Sequence, residues 1–418
     1  MLGLTLASAM AQVLNAAAAP VLARIYGPGA FGRFSVYLAV VSILAVPSSL
    51  CYEAAVPIPV ARANAVSLFR MAFWLNPAWA LLLFGLGWSF PGCLVSSLAS
   101  LAPVWGLTCL GICTMGMYQA MTAWSLRERD YPLLARFRWH QGALQPALKL
   151  GLGRVANGMG LVLGDIFGRA IACLVLAWRL RVVLRAPLDR PELARWFGQM
   201  RRFRAFAMVS GAATLLNTLA QYLPMLLFAQ RYAADQAGRF GLAQSLVGLP
   251  MVLLGQAVTQ VCVGEAAAMI RRGDPGLPGY LRATLRRAAL VGGGPILLVA
   301  LWGPGLFAQV FGATWRGAGE YARLLSPMYL LQFLAAPVSG TTRLLEAQGF
   351  QLLWDSARVV ALAAWFLLSA HLAWSDRAAI LAFGVGMAVM YLVNIGMVLA
   401  LARRPAGPEG PKESSREP

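Results

Sequence analysis

Acidic residues are scarce in this chain: 16 Asp and Glu stand among 418 residues, against 35 Lys and Arg and only two His. Charged residues make up 12% of the sequence and hydrophobic ones 59%, a balance that excludes an ordinary water-soluble domain. The sequence holds no CxxC pair, no Cys/His cluster, no HExxH, no GxSxG and no glycine-rich phosphate loop ending in lysine. Six cysteines (Cys51, Cys93, Cys109, Cys113, Cys173, Cys262) sit in or beside apolar stretches, and His140 and His371 alone could assist a metal. They read as small buried apolar side chains, so no metal site and no cofactor is expected. No loop is long enough to fold a domain of its own. Energy for any transport would therefore come from ion gradients, the membrane potential or substrate metabolism rather than from nucleotide hydrolysis by this chain.

What the sequence has in abundance is apolar stretches of membrane length. A hydrocarbon core about 30 Å thick needs roughly 20 apolar residues of helix. Twelve such spans lie at about 1–22, 35–58, 71–90, 103–124, 141–158, 160–178, 206–229, 240–268, 288–309, 324–342, 359–374 and 378–402. Helices are the only reading, because lipid offers no partner to open backbone groups and the alternation of a barrel is missing. Residues 1–20 lack a basic leader and run into a typical first loop, so they read as a retained first span. With no polar residues before it, the true start is expected slightly upstream.

The formal charge of +19 would suggest nucleic acid in a soluble protein, but its distribution gives a topology instead. Connections after even-numbered spans, with the tail, carry 25 Arg and Lys, and the opposite side carries 7: Arg24, Arg33, Arg231, Arg239, Arg316, Arg323 and Arg377. The positive-inside rule then puts both termini in the cytoplasm. The charge serves mainly as orientation signal and lipid-headgroup contact, and no nucleic-acid partner is expected.

The most charged connection, from about Arg179 to Arg204, divides the chain into two halves of six. We read an N-terminal lobe over 1–180, an amphipathic cytoplasmic linker over 181–205, a C-terminal lobe over 206–402 and a polar tail over 403–418. In the linker, Leu193, Trp196, Phe197, Met200 and Phe203 fall at helical spacing against Arg195, Arg201 and Arg202, as in a surface helix that snorkels toward lipid phosphates; a regulatory partner site is the alternative. The halves also echo each other. Leu14-Asn15 precedes Gly32-Arg33-Phe34 as Leu216-Asn217 precedes Gly238-Arg239-Phe240. With an even number of spans between the copies the repeats are parallel, related by an axis along the membrane normal.

Ionisable groups inside membrane spans are costly and are functional candidates. Most fall in the first half: Lys149 and Arg154 in span 5, Asp165 and Arg169 in span 6, and Glu53 near the inner end of span 2; the second half shows only Glu265. Asp165 and Arg169, four apart, share a helix face, and either neutralise each other or serve the site. Lys149 and Arg154 have no acid nearby in sequence. If spans 5 and 6 line a cavity, they leave uncompensated positive charge suited to an anionic group such as a pyrophosphate; the other reading of Arg154 is contact with outer headgroups. Glu53 either titrates with an ion gradient or pairs with a loop arginine. Prolines recur within spans, among them Pro47, Pro146, Pro224 and Pro337, and suit kinked helices around a pathway, though membrane helices tolerate proline generally.

The stretch Leu22-Ala23-Arg24-Ile25-Tyr26-Gly27-Pro28-Gly29-Ala30-Phe31-Gly32-Arg33-Phe34, with Tyr52-Glu53-Ala54-Ala55-Val56-Pro57-Ile58-Pro59, resembles the polysaccharide biosynthesis proteins of the oligosaccharide flippase group. That group lies in the multidrug, oligosaccharidyl-lipid and polysaccharide exporter superfamily. Arg202-Phe203, Ala237-Gly238-Arg239-Phe240, Gly248-Leu249-Pro250 and Gly255-Gln256-Ala257-Val258 extend the likeness through the second half. One departure is Cys51, where relatives often carry arginine before the Tyr-Glu pair. The resemblance implies a flippase of a bacterial inner membrane that turns undecaprenyl-pyrophosphate-linked oligosaccharide units outward, working beside a polymerase and chain-length machinery.

The expectation is thus an all-α, two-lobed, V-shaped carrier of about twelve transmembrane helices that is not an enzyme, with a cationic central cavity. Lys149, Arg154 and Arg169 would bind substrate, and Glu53 and Asp165 would couple or gate. A multidrug/cation antiporter of the same superfamily would want acidic cavity residues instead, and an integral-membrane polysaccharide polymerase would need a large outer loop.

Overall fold

The structure is a computed structural model that describes residues 2–89, 101, 103–153, 158–184, 190–272, 274–344 and 348–403. Among these residues there is no strand, and the protein is all-α. Twelve long helices run in order: α1 Leu2–Ile25, α2 Pro28–Leu44, α3 Arg62–Ser89, α4 Trp105–Arg127, α5 Tyr131–Leu152, α6 Gly160–Arg179, α7 Arg190–Arg231, α8 Ala234–Arg271, α9 Leu277–Phe311, α10 Arg316–Gly340, α11 Gln348–His371 and α12 Asp376–Leu401. Seven of them, α2, α3, α6, α7, α9, α11 and α12, are long and apolar enough to cross a membrane on those grounds alone.

Several boundaries follow from local chemistry. Pro28 opens α2 at a position where its missing N–H costs nothing, behind an extended Gly27. Asp130 caps α5 by accepting from the Leu133 N–H at 3.1 Å, so that helix starts ten residues earlier than its hydropathy indicates and carries Arg136, Arg138 and His140. The expected linker helix is no separate element: from Arg190 it continues through span 7 as one helix of 42 residues.

Span 2 departs most from its expected continuous course. α2 stops at Leu44 and the chain proceeds through two 3-10 turns, Pro47–Ser49 and Tyr52–Ala55. Between them Leu50 and Cys51 are both left-handed, with φ of 54° and 59°. For consecutive non-glycine residues that is a strained backbone, held only where the surroundings over-determine it. Here Ser48 donates to Asn76 of α3 at 2.6 Å, Tyr52 donates to the Met200 carbonyl of α7 at 3.2 Å, and Arg127 of α4 donates to the carbonyls of Val56 and Pro57 at 3.2 and 3.1 Å.

Packing gathers the chain into two compact units. The first comprises Met1–Ala243 with Pro304–Tyr321 and Leu362–Asp376; the second comprises Gln244–Gly303, Ala322–Ala361 and Arg377–Pro418. A core in the first unit stacks Phe69 on Trp124 at 5.1 Å, with Leu68, Met71, Met121, Phe137 and Leu176 around them. A smaller one in the second joins Cys262 and Ala266 to Leu277, Leu281 and Ala402. Within the first unit, α6 presents Gly160, Gly164 and Gly168 at four-residue spacing. A Cβ on Gly164 would press on the backbone of Lys149, and one on Gly168 on Gln145. This small-residue ridge lets α5 and α6 approach as membrane helices do when van der Waals packing replaces the hydrophobic effect.

Candidate functional site

The close α5–α6 contact puts Lys149 beside Asp165. The Lys149 ammonium lies 3.5 Å from Asp165 Oδ1, and Arg169 Nη2 lies 2.6 Å from Asp165 Oδ2, one helical turn along. Gln145 donates to Asp165 Oδ1 at 3.2 Å and the Tyr37 hydroxyl faces Oδ2 at 3.3 Å. Lys149 Nζ sits 4.5 Å from the centre of the Phe34 ring, Tyr26 donates to the Lys149 carbonyl at 2.6 Å, and Arg169 Nη1 reaches Met115 Sδ. All three ionisable side chains are buried. Lys149 is therefore not the uncompensated cation that its sequence neighbourhood suggests: α6 supplies the acid, sixteen residues on. One carboxylate faces two basic side chains, a formal balance of +1 in a low-dielectric surround. Arg154 lies outside the described residues.

Glu53 stands apart from this cluster, in the second 3-10 turn of the broken span, where that turn packs against α3, α4 and α7. Ser49 donates to its carboxylate, and among the described residues no arginine or lysine pairs with it. Arg127, a loop arginine on the neighbouring α4, is held by the Val56 and Pro57 carbonyls.

The duplicated Gly-Arg-Phe motif has a structural purpose. A Cβ on Gly32 would strike the Ala234 carbonyl, and one on Gly238 would strike the Pro28 carbonyl. The starts of α2 and α8 therefore cross backbone to backbone, at the arginine-poor end. Around the crossing Trp315 donates to the Ala23 carbonyl at 2.9 Å and packs edge-on to Phe31 at 5.0 Å, while Arg24 donates to the Val310 carbonyl at 3.1 Å. Within this unit the arginine-poor ends of helices from both halves are thus packed together.

Sequence reasoning missed two buried ion pairs. Arg70 of α3 meets Glu192 of α7 at 3.3 Å, both buried, so the first turns of α7 dock on the first unit rather than resting freely on a surface; Phe203 is buried there and Trp196 and Met200 pack beside it. In the second unit Asp355 and Arg358 of α11 pair at 3.4 Å, with Gln351 donating to Asp355 at 3.1 Å and Arg358 reaching the Tyr391 hydroxyl at 3.4 Å. The second half thus holds more than Glu265. A polar strip at i, i+4 and i+7 (Gln351, Asp355, Arg358) was the available signal.

These features define a multi-pass membrane protein with a transporter fold. The chain belongs to the polysaccharide biosynthesis protein family, whose pattern it matches over residues 21–319. No curated protein matches it in sequence. Among solved structures it is similar to the lipid II flippase MurJ in an inward closed conformation (TM-score 0.75, 9% identity, covering 97% of this chain and 88% of that one). It is similar also to an inward-facing multidrug resistance MATE family transporter of the MOP superfamily (TM-score 0.68, 13% identity, 95% and 96% covered). A third is a MOP superfamily transporter from Pyrococcus furiosus (TM-score 0.59, 13% identity, 96% and 95% covered). At these identities the likeness is one of fold.

Proposed function

We propose that this protein is a flippase, not an enzyme, that moves undecaprenyl-pyrophosphate-linked oligosaccharide units across a bacterial inner membrane by alternating access. The observation that carries the reading is the surplus positive charge held by Lys149, Asp165 and Arg169 in a chain of the polysaccharide biosynthesis family. A diphosphate gains charge-assisted bonds near such a surplus, whereas a cationic drug is repelled by it, which disfavours the antiporter alternative. Lys149 and Arg169, with Arg154, are the substrate-binding cations of this proposal. Asp165 gates by holding two of them, and Glu53, with Ser49 as its partner at a strained break, serves coupling. Discontinuous helices are where carriers seat substrates and coupling ions.

The test is delivery of lipid-linked glycan to the outer leaflet, read as surface polysaccharide at matched protein level. Lys149→Ala leaves Asp165 paired with Arg169 and the cluster neutral. Transport should fall about tenfold, as expected from losing roughly 1.5 kcal/mol of charge-assisted bonding. Arg154→Ala should act likewise and Arg154→Lys rescue in part, since lysine keeps charge but loses the fork. Normal polysaccharide in the double alanine variant would overturn the cationic mechanism. Orientation has its own test: in a background without native cysteines, Gly312→Cys should react with an impermeant thiol reagent from outside, and Gly273→Cys only after lysis. The reverse pattern would invert the direction of transport.

A further inference from the structure

At the arginine-rich end of the first half, the connection after span 2 and the α4–α5 turn border a shallow, open cleft of about 560 Å³ lined by Pro57, Arg62, Leu126, Arg127, Glu128 and Arg129. Three guanidinium groups face one carboxylate there. Two of the arginines have polar partners. Arg62 grips Glu128 through both a 3.4 Å and a 3.2 Å bond above the Trp124 ring, which leaves its Nη1 unspent. Arg127 spends Nη1 alone, on the carbonyls of Val56 and Pro57. Arg129 is left-handed, with φ of 56°, in a turn closed by Asp130 N–H on the Ser125 carbonyl at 3.0 Å; its side chain makes no polar contact among the described residues. A non-glycine residue in that conformation is uncommon and marks a position worth a functional explanation.

Exposed apolar side chains lie in and beside this basic cleft. Leu126 is 47% exposed, and Ile58 and Val60, on the connection that carries Pro57 and Arg62, are 49% and fully exposed. A soluble anion site has no use for them, whereas a group whose charge lies at the bilayer surface and whose tail lies in lipid needs both. We propose that this cleft docks the phosphate headgroup of a membrane lipid, with Arg129 and the unspent edges of Arg62 and Arg127 as its donors. The proposal rests on the flippase reading in one respect only, that a polyprenyl diphosphate is one such lipid; there the cleft is a capture site used before the substrate reaches the buried cluster.

The test is native mass spectrometry of the full-length protein in detergent doped with a polyprenyl diphosphate, with phosphatidylglycerol, or with phosphatidylcholine. Arg62→Gln with Arg129→Gln should lower retention of the bound anionic lipid about tenfold. Arg271→Gln with Arg272→Gln, the same charge removed elsewhere at the arginine-rich end, should leave it near the wild-type level. Arg129→Gln alone removes an exposed side chain that makes no polar contact among the described residues, so its fold is retained and its loss of retention should lie between. A drop for the diphosphate only assigns the site to substrate capture, and an equal drop for phosphatidylglycerol assigns it to bulk anionic lipid. Wild-type retention in the Arg62/Arg129 variant, or an equal loss in the Arg271/Arg272 variant, overturns the proposal. Because the readout is binding, a protein that keeps this site yet fails to flip refutes the transport reading alone.

Discussion

Each half of the chain buries a charged cluster on its fifth and sixth helices, and the two clusters differ in kind. In the first half one acid bridges two cations, with a 2.6 Å bond to Arg169, a longer one to Lys149 and the support of Gln145 and Tyr37. In the second half a single acid meets a single cation at 3.4 Å on one helix, and the sixth helix contributes Tyr391, whose hydroxyl lies 3.4 Å from Arg358 and whose ring centre lies 5.7 Å from the guanidinium. Depth differs as well. Lys149 is three residues from the arginine-poor end of α5, whereas Asp355 is seven residues from the arginine-rich start of α11. A duplicated scaffold has thus kept its helix order and the glycine crossing at Gly32 and Gly238 while its electrostatics diverged. One half holds surplus charge, and the other is neutral in its pair.

Asp165→Asn leaves Lys149 and Arg169 buried without an acid, a loss of about 3–5 kcal/mol that should appear as a sharp fall in thermal midpoint or as failure to purify a monodisperse protein. Adding Lys149→Met should recover part of it by removing one of the two stranded charges. An unchanged midpoint in the single variant would mean that water or lipid, not Asp165, balances these cations.

Next in size is Gly164→Val, whose branched side chain meets the Lys149 backbone. Overpacking of about 1–3 kcal/mol should separate α5 from α6 and lower transport further than stability. Transport and midpoint falling strictly together would show that the ridge only packs. For the second half, Asp355→Asn strands one arginine that keeps Tyr391 beside it, at a cost of about 1–3 kcal/mol. That variant should melt above Asp165→Asn, and the opposite order would make the looser pair the stronger one. Smallest is Phe34→Leu, which takes the aromatic face from Lys149. It should cost about 0.5–2 kcal/mol, measurable as a shift of a few degrees; its counterpart on the Asp355 side is the Tyr391 ring, 5.7 Å from the Arg358 guanidinium.

The helical class, the twelve segments and the parallel repeat were legible because apolar runs of membrane length and a duplicated Gly-Arg-Phe leave marks in one dimension. Boundaries fail where a helix carries charge, whether exposed, as at Arg136 and His140 at the start of α5, or buried, as at Asp355 and Arg358 in α11, because hydropathy cannot tell a charged helical turn from a loop. For the same reason Lys149 looked solitary: its acid comes from the next helix, and only the Gly160, Gly164, Gly168 ridge hinted at so close an approach. The break after Leu44 had no signal beyond Pro47, since Leu50 and Cys51 are not residues that ordinarily adopt left-handed backbone. Glu192 was assigned to a surface helix because its partner Arg70 lies in a different span.

The unbroken course of α7 has a mechanical consequence. At 1.5 Å per residue its 42 residues extend about 63 Å, roughly twice the hydrocarbon thickness, so a large part of the rod projects past the lipid on the arginine-rich side. Its projecting end is pinned near Glu192 by Arg70. A rod of that length is a lever arm. A tilt of only about 10° about one end would carry the other through roughly 11 Å, twice the 5.4 Å pitch of a helical turn. Pro224, seven residues before Arg231, divides the rod into a long arm on the arginine-rich side and a short one at the opposite end, and is the position at which proline disposes the helix to bend.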